Sequence, residues 1–73
     1  MFADARKPIE VRPCIFGWEV HRRGEAKRSV YTTQLEAERS GRERARSEHA
    51  ELVLIDDNGS VRAISTYGVD TRT

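Results

Sequence analysis

Hydrophobic and polar residues alternate near the start of the chain with a period of two, which is the spacing of a half-buried β-strand. In a strand over Gly17–Arg22, Trp18 and Val20 fall on one face and polar side chains fall on the other. A turn at Gly24 separates this strand from residues 27–32, whose β-branched and aromatic residues are typical of an antiparallel neighbour. The pattern therefore predicts a β-hairpin.

The periodicity changes at Thr33, where we predict a helix over residues 33–50. The sequence from Thr33 to Glu36 fits a capping box, in which the threonine hydroxyl accepts from the third helical N–H and the glutamate reaches back to the cap. A stripe of small side chains lets such a helix lie close to a sheet, with bulky side chains supplied by the strands. This stripe consists of Ala37, Gly41 and Ala45.

An apolar run, a turn and an alternating run follow the helix and predict a second hairpin, with strands over residues 52–56 and 60–65. We expect Asn58 and Gly59 to supply the positive φ angles of its turn. The run from Leu52 to Ile55 is apolar on both faces. In a sheet with a helix on one face only, such a strand is either central or has its uncovered face against another molecule.

Together these elements predict an α+β domain with an antiparallel sheet of four strands and one helix packed on one face, in the order β-β-α-β-β. Residues 9–12 lie between Pro8 and Pro13 and are a candidate fifth strand at an edge, where proline is tolerated. Phe16 is in phase with Trp18 and is predicted to be buried with it. The full predicted core is Phe16, Trp18, Val20, Val30, Ala37, Gly41, Ala45, Leu52, Leu54 and Ile64.

Chain length and composition limit the class of protein. A chain of 73 residues makes one domain, near the lower size at which a core is stable without disulfides, metal or a partner. We expect this domain over residues 9–68, between flexible tails at 1–8 and 69–73. The single cysteine, Cys14, indicates a reducing compartment, so we expect a cytoplasmic protein. No apolar run approaches the roughly 20 residues that cross a bilayer, and we expect no membrane association.

The reactive side chains form no catalytic or metal-binding signature. They are His21, His49, Cys14, Asp56 and Asp57, and no spacing joins a nucleophile to a base or pairs two carboxylates. The cysteine and histidines lack the short paired spacings of zinc sites, and the sequence from Asp56 to Gly59 indicates a turn, not a calcium loop. We therefore expect no enzymatic activity, no cofactor, no metal and no small-molecule ligand.

Basic residues define one candidate binding surface, for nucleic acid. The hairpin over residues 21–29 and one side of the helix contribute Arg22, Arg23, Lys27, Arg28, Arg39, Arg42 and Arg46. Arginine binds phosphate through two parallel hydrogen bonds, and all but two of the basic residues in the chain are arginine. Against this function, the formal net charge is only +1, the helix also carries four glutamates, and few aromatic residues are available to stack on bases.

The chain resembles a family of small bacterial proteins known as domain of unknown function 2188, over residues 9–70. The shared features are the glycine-tryptophan start at Gly17 and Trp18, the Thr-Gln-x-Glu-Ala helix start from Thr33 to Ala37, and a Ser-Tyr-Gly ending that occurs here as Ser-Thr-Tyr-Gly at 65–68. This resemblance implies the fold and no activity. The order of a tryptophan-led strand, a basic hairpin and a T-x-x-E-A helix start also resembles the amino-terminal DNA-binding module of phage integrases, as far as the helix.

These observations favour a small non-catalytic interaction module that self-associates through the uncovered sheet face or edge. Val53 and Ile55 are the interface candidates, because they belong to the strand that is apolar on both faces. The partner is then a second copy or another protein. The alternative is a nucleic-acid-binding domain that uses the basic hairpin and the helix arginines. A charge-laced helix is more often a solvated surface, which favours the first interpretation.

Overall fold

The structure, a computed structural model, describes residues 7–67. One helix packs on one face of a five-stranded sheet with the strand order β3-β2-β1-β4-β5. The pairing of β1 with β4 is parallel and the other three pairings are antiparallel, so the sheet is mixed. The α+β class is confirmed, with five strands. The elements are β1 (Ile9–Cys14), β2 (Gly17–Arg22), β3 (Ser29–Tyr31), α1 (Gln34–Glu48), β4 (Glu51–Ile55) and β5 (Val61–Thr66).

Strand β1 lies in the centre of the sheet, so the prediction of a fifth strand at an edge was wrong in its position. It pairs with β2 from end to end and with β4 from Ile9 to Val11. Pro13 comes after the last residue paired with β4, where a missing N–H interrupts no hydrogen bond of the β1–β4 ladder. Ile9 and Val11 are 0% and 1% exposed, which makes β1 a principal contributor to the core.

Helix α1 begins and packs as the sequence predicts. Thr33 is the N-cap, and its side chain accepts a hydrogen bond from the backbone N–H of Glu36 at 3.2 Å. The reciprocal half of the predicted capping box differs, because the Glu36 carboxylate accepts from the Thr32 hydroxyl at 3.4 Å. His49 ends the helix in the left-handed conformation, with a φ of 56°. The buried positions of the helix are Ala37, Gly41 and Ala45, which confirms the small stripe.

The core lies between α1 and the side chains of the three inner strands. It consists of Ile9, Val11, Val20, Ala37, Ala45, Ala50, Leu52 and Leu54, with Trp18, Tyr31, Ala63 and Tyr67 packed against it at the margin. Three predicted core residues are wrong: Phe16, Val30 and Ile64 are 75%, 49% and 58% exposed. Phe16 lies in the β1–β2 turn, and Val30 and Ile64 point to the face of the sheet opposite the helix.

Two glycines explain local chain reversals. Gly17 has a φ of 133°, and a Cβ atom there would lie 2.4 Å from the carbonyl oxygen of Tyr31, so only glycine fits before Trp18. Gly59 has a φ of 88° in the β4–β5 turn. The predicted positive φ at Asn58 is wrong, because His49 is the only non-glycine residue with a positive φ between residues 7 and 67. The Asn58 side chain instead accepts from the N–H of Ser60 at 3.0 Å.

The predicted tails fall largely outside the described residues. Residues 1–6 and 68–73 are not described, so Gly68 and both tail predictions stay predictions there. Lys7 and Pro8, which the sequence assigned to the first tail, are attached to the hairpin through their carbonyl oxygens. Pro8 accepts from the N–H of Arg23 at 2.9 Å, and Lys7 accepts from the side chain of Arg22 at 3.1 Å. Between residues 7 and 67 there is no helix with the length and apolar character that spanning a membrane would require.

Candidate functional site: the open face of the sheet

The sheet face opposite α1, which we call the open face, has a polar half and an apolar half. Strand pairing places four residues in one row across it: Ile64 beside Val53, Val53 beside Glu10, and Glu10 beside His21. Each of these side chains alternates along its strand with one that packs towards the helix. The polar half therefore lies on β1 and β2, and the apolar half lies on β4 and β5.

The polar half contains two carboxylates that are almost fully buried. The side chains of Glu10 and Glu19 are 9% and 10% exposed. Arg23 donates to Glu10 Oε2 through Nε at 2.9 Å, and its Nη2 atom lies 2.8 Å from the same oxygen. Arg28 donates to Glu19 Oε2 through Nη1 at 2.7 Å. Charged groups withdrawn from water are destabilising unless paired, and these arginines provide that pairing.

Arg12 lies between the two carboxylates at longer distances. Its Nε atom is 3.6 Å from Glu19 Oε2, and its Nη1 atom is 3.8 Å from Glu10 Oε1. Both distances exceed that of a good hydrogen bond, so the contact is mainly between charges. We call Arg12, Arg23 and Arg28, together with Glu10 and Glu19, the arginine–glutamate cluster. It contains three cations and two anions on the two strands and their hairpin.

His21 is buried beside the arginine–glutamate cluster, with a side chain that is 6% exposed. Its Nε2 atom is 3.2 Å from Glu10 Oε1, but the approach is not aligned as a hydrogen bond. Within the described residues neither ring nitrogen has a hydrogen-bond partner. His21 therefore adds a buried imidazole, close to the Glu10 carboxylate, to the polar half of the open face.

The tip of the β2–β3 hairpin is attached to the C-terminal end of the helix. Arg44 Nη2 lies 2.9 Å and 3.3 Å from the two carboxylate oxygens of Glu25, and the Arg22 guanidinium contacts Glu48. The hydrogen bond from Arg44, followed by that from the backbone N–H of Arg22, lowers the pKa of Glu25 below its ordinary value of 4.5. Arg44 also donates to Glu48 at 3.0 Å. The hairpin is therefore not a free solvated turn.

The apolar half of the open face is exposed along the outer strand. Val61 and Ile64 on β5 are both 58% exposed. Their partners on β4 are the predicted interface residues: Ile55 pairs with Val61 and is half-buried, whereas Val53 pairs with Ile64 and is only 5% exposed. Both predicted residues face away from the helix, because they alternate with Leu52 and Leu54 in the core.

The structure separates the predicted basic residues into two groups. Arg23 and Arg28 lie over the open face, whereas Arg39, Arg42 and Arg46 lie on α1, on the other side of the sheet, where Arg22 also contacts Glu48. Arg46 stacks over the ring of Tyr67, 5.6 Å from its centroid. Lys27 is exposed in the hairpin loop. The single patch that the sequence suggested is thus two surfaces.

Four members of the polar half were not predicted as site residues, although His21 was named among the reactive side chains. The four are Glu10, Arg12, Glu19 and His21. The signal was present in the alternation, because Glu10 and Glu19 each precede a core valine, at positions 11 and 20. What the sequence could not indicate is that β1 and β2 are adjacent inner strands. Among residues 7–67, no three histidine, cysteine, aspartate or glutamate side chains are grouped closely enough to hold a metal ion.

Comparison with known proteins agrees with the resemblance seen in the sequence. No curated protein and no solved structure matches the chain. The family described as uncharacterized protein conserved in bacteria, DUF2188, matches over residues 9–67, a range that runs from the first residue of β1 to Tyr67 after β5. The matched range therefore covers all six elements of the fold, and the chain belongs to the DUF2188 family.

Proposed function

We propose that the protein is a small, non-catalytic interaction module that self-associates through the apolar half of the open face and the outer edge of β5. The observation that carries this proposal is the pair of exposed side chains Val61 and Ile64 on an edge strand. Ile55 and Val53 beside them make the apolar strip two strands wide. Apolar strips of this kind are typical of protein interfaces.

The two edges of the sheet differ in their suitability for pairing. Strand β3 has three residues, whereas β5 has six, contains no proline, and has one charged side chain, Arg62, which is paired with Glu38 and Asp56. Two copies of β5 related by a two-fold axis would pair antiparallel and place each Ile64 near its counterpart. Such a contact is self-complementary, as a symmetric dimer requires.

Sedimentation equilibrium across the micromolar range tests this proposal. We expect a reversible dimer for the unchanged protein and a monomer for Ile64→Asp, because a charge at the strip would be desolvated on association. Val30→Asp is the matched control: Val30 is exposed on the same face, on the strand at the opposite edge, and its substitution should leave the dimer intact. A monomer at high micromolar concentration for the unchanged protein would overturn the proposal.

Nucleic-acid binding is the second candidate function, and the arginines of α1 favour it. Among the described residues, neither Arg39 nor Arg42 has a carboxylate partner, so their charges are available to phosphate. The test is fluorescence anisotropy with labelled oligonucleotides at low salt. Phosphate contacts predict affinity that falls steeply as salt rises, by about 0.9 in log affinity per log unit of salt for each contact on duplex DNA. Absence of binding at about 100 μM protein would remove this candidate.

A further inference from the structure

We propose that Arg12, Arg23 and Arg28 form a preorganised site for the phosphate groups of a nucleic-acid strand, with Glu10 and Glu19 as positioning residues beneath them. The site lies on the open face, on the opposite side of the sheet from the helix arginines. This inference rests on the second candidate function, and it places the phosphate contacts on the open face instead of at Arg39 and Arg42 of the helix. Its residues are those of the arginine–glutamate cluster.

The guanidinium groups retain donors that the carboxylates do not use. Each guanidinium has five N–H groups in one plane. Arg28 contacts Glu19 through Nη1, and Arg23 contacts Glu10 through Nε and Nη2. The side chains of Arg28 and Arg23 are nevertheless 44% and 58% exposed, whereas the carboxylates beneath them are 10% and 9% exposed. An anion that approaches this face therefore meets N–H donors before it meets a carboxylate.

Arg12 lies between the two arginine–glutamate pairs and connects them into one cluster. It lies between Glu10 and Glu19, is 45% exposed, and has no contact with either carboxylate shorter than 3.6 Å. Its hydrogen-bond donors are therefore the least engaged of the three arginines. Three guanidiniums over two carboxylates leave an excess of one positive charge on this part of the face. Phosphate, which accepts several charge-assisted hydrogen bonds at once, is the group that this arrangement fits.

The buried carboxylates lower the entropic cost of binding a ligand through these arginines. A free arginine loses rotamer freedom when it binds a ligand, whereas Arg23 and Arg28 are already held by Glu10 and Glu19. Strands β2 and β3 place no aromatic ring on the open face for stacking on bases, because Trp18 and Tyr31 lie on the helix side. There the Tyr31 hydroxyl forms a hydrogen bond of 2.7 Å with the Ser40 hydroxyl. Binding should therefore depend on phosphate and salt, with little dependence on base sequence.

The experiment measures binding of the full chain to a fluorescein-labelled oligothymidylate of about 20 nucleotides, and to a duplex of equal length, over a salt series. Arg12→Gln should weaken binding roughly tenfold and reduce the salt slope by about 0.7 to 0.9, the loss of one phosphate contact. Arg62→Gln is the matched control. Arg62 is 41% exposed, close to the value for Arg12, and it contacts Asp56 and Glu38 outside the cluster, so its substitution removes the same charge from the chain without touching the proposed site.

Glu19→Gln distinguishes the role of Glu19 in positioning Arg28 from the effect of its negative charge on binding. This substitution adds one positive unit to the chain, so simple charge attraction predicts tighter binding. Loss of the anchor for Arg28 predicts weaker binding instead, which is the result we expect. Far-UV circular dichroism checks that the variant is folded. Should Glu19→Gln not fold, the comparison of Arg12→Gln with Arg62→Gln still decides the question.

Three results would overturn the inference. Unchanged affinity of Arg12→Gln, together with loss of binding in Arg39→Gln/Arg42→Gln, would place the phosphates on the helix and leave the second candidate function intact. Tighter binding by folded Glu19→Gln would show that the carboxylate acts only as a competing anion. Absence of binding by the unchanged protein would remove both the inference and the candidate function.

Discussion

Gly41 of the helix and Val11 of the central strand are in such close contact that a Cβ atom at Gly41 would lie 2.6 Å from Cγ2 of Val11. The same atom would lie 3.1 Å from Cδ1 of Leu52. Valine is stiff because its side chain is branched at Cβ, so it cannot move aside by a rotamer change alone. The helix backbone therefore packs directly against the sheet at Gly41, where there is room for a hydrogen atom on Cα but not for a methyl group.

Gly41→Ala is expected to destabilise the fold although alanine favours helices. The substitution gains about 1 kcal/mol of helix propensity, but overpacking of a well-filled core costs about 1 to 3 kcal/mol. We expect a net loss of about 1 kcal/mol in the free energy of unfolding, measured by urea denaturation. Ser47→Ala, at an exposed position of the same helix, raises helix propensity by less and adds no atom to the core, so it should be neutral or slightly stabilising.

A double-mutant cycle assigns the Gly41→Ala effect to Val11. In the background Val11→Ala the added methyl group has room, so Gly41→Ala should cost less there than in the unchanged protein. Contacting residues usually show a coupling of about 0.5 to 3 kcal/mol. Equal costs in the two backgrounds would mean that the clash is relieved by a shift of the helix.

Thr33→Ala should remove the N-cap of α1. The Thr33 hydroxyl is the acceptor for the N–H of Glu36, and loss of such a cap costs about 1 kcal/mol. Thr33→Ser keeps the acceptor and should remain within a few tenths of a kcal/mol of the unchanged protein. Thr32→Ala, one residue earlier, removes only the 3.4 Å contact with the Glu36 side chain and should have little effect. Thermal or urea unfolding distinguishes the three variants.

Local signals made the helix predictable, whereas non-local pairing made the centre of the sheet unpredictable. Thr33, Glu36 and the small stripe act within a few residues of each other, and all of them could be recognised in the sequence. The position of β1 depends on its parallel pairing with β4, which is more than 40 residues later in the chain. No local pattern encodes that pairing. Pro8 before β1 and Pro13 within it pointed to an edge, because the sequence did not show that β4 pairs only as far as Val11.

The face to which a side chain points was also set by non-local pairing. Ile64 is the largest apolar residue of β5, and the sequence placed it in the core. In the structure Ala63 lies opposite Leu54 on the helix side and Ile64 lies opposite Val53 on the open face. The register between β4 and β5 shifts next to Ile55, and such a shift reverses the phase of a strand without any change in its own pattern.

Only part of the candidate site could be predicted from the sequence, because the rest depends on non-local strand pairing. Arg23 and Arg28 were recognised as basic residues of a hairpin. Their contacts with Glu10 and Glu19 join β1 to the β2–β3 hairpin and depend on the strand order of the sheet. A carboxylate that alternates with core valines is predicted to face solvent. That prediction changes only when its strand is known to be an inner strand of the sheet. The burial of Glu10 and Glu19 was therefore not predictable from the residues alone.

Trp18 and Phe16 provide a direct test of where the β2 strand begins. The sequence treats them as equivalent, since they are in phase, but Trp18 packs against the core and Phe16 is 75% exposed. Trp18→Ala should cost about 3 kcal/mol, the lower end of the range for large aromatic truncations because Trp18 is only half-buried. Phe16→Ala should cost no more than about 0.5 kcal/mol. Equal losses of unfolding free energy in the two variants would contradict the placement of Phe16 in the turn.

The contact between Glu25 and Arg44 predicts how stability depends on pH. The pKa of Glu25 is lowered in the folded chain, chiefly by the hydrogen bond from Arg44, so folding favours the ionised carboxylate. The stability from this group is fully present above its unfolded pKa, and it is lost as the pH falls through the lowered folded pKa. We therefore expect Glu25 to contribute to the acid-induced loss of stability at pH values below about 4.5.

Arg44→Gln should raise the pKa of Glu25 towards its ordinary value, because the largest cause of its depression is removed. The side-chain carboxyl carbon of Glu25, followed by NMR as the pH is lowered, reports this pKa directly. Arg39→Gln removes an arginine of the same helix that does not contact Glu25, and the pKa of Glu25 should not change in that variant. The N–H of Arg22 still donates to Glu25 at 3.2 Å in either variant, so part of the depression should persist after Arg44→Gln. A Glu25 titration that is identical in the unchanged protein and in Arg44→Gln would show that the hairpin tip and the helix are not joined through this pair in solution.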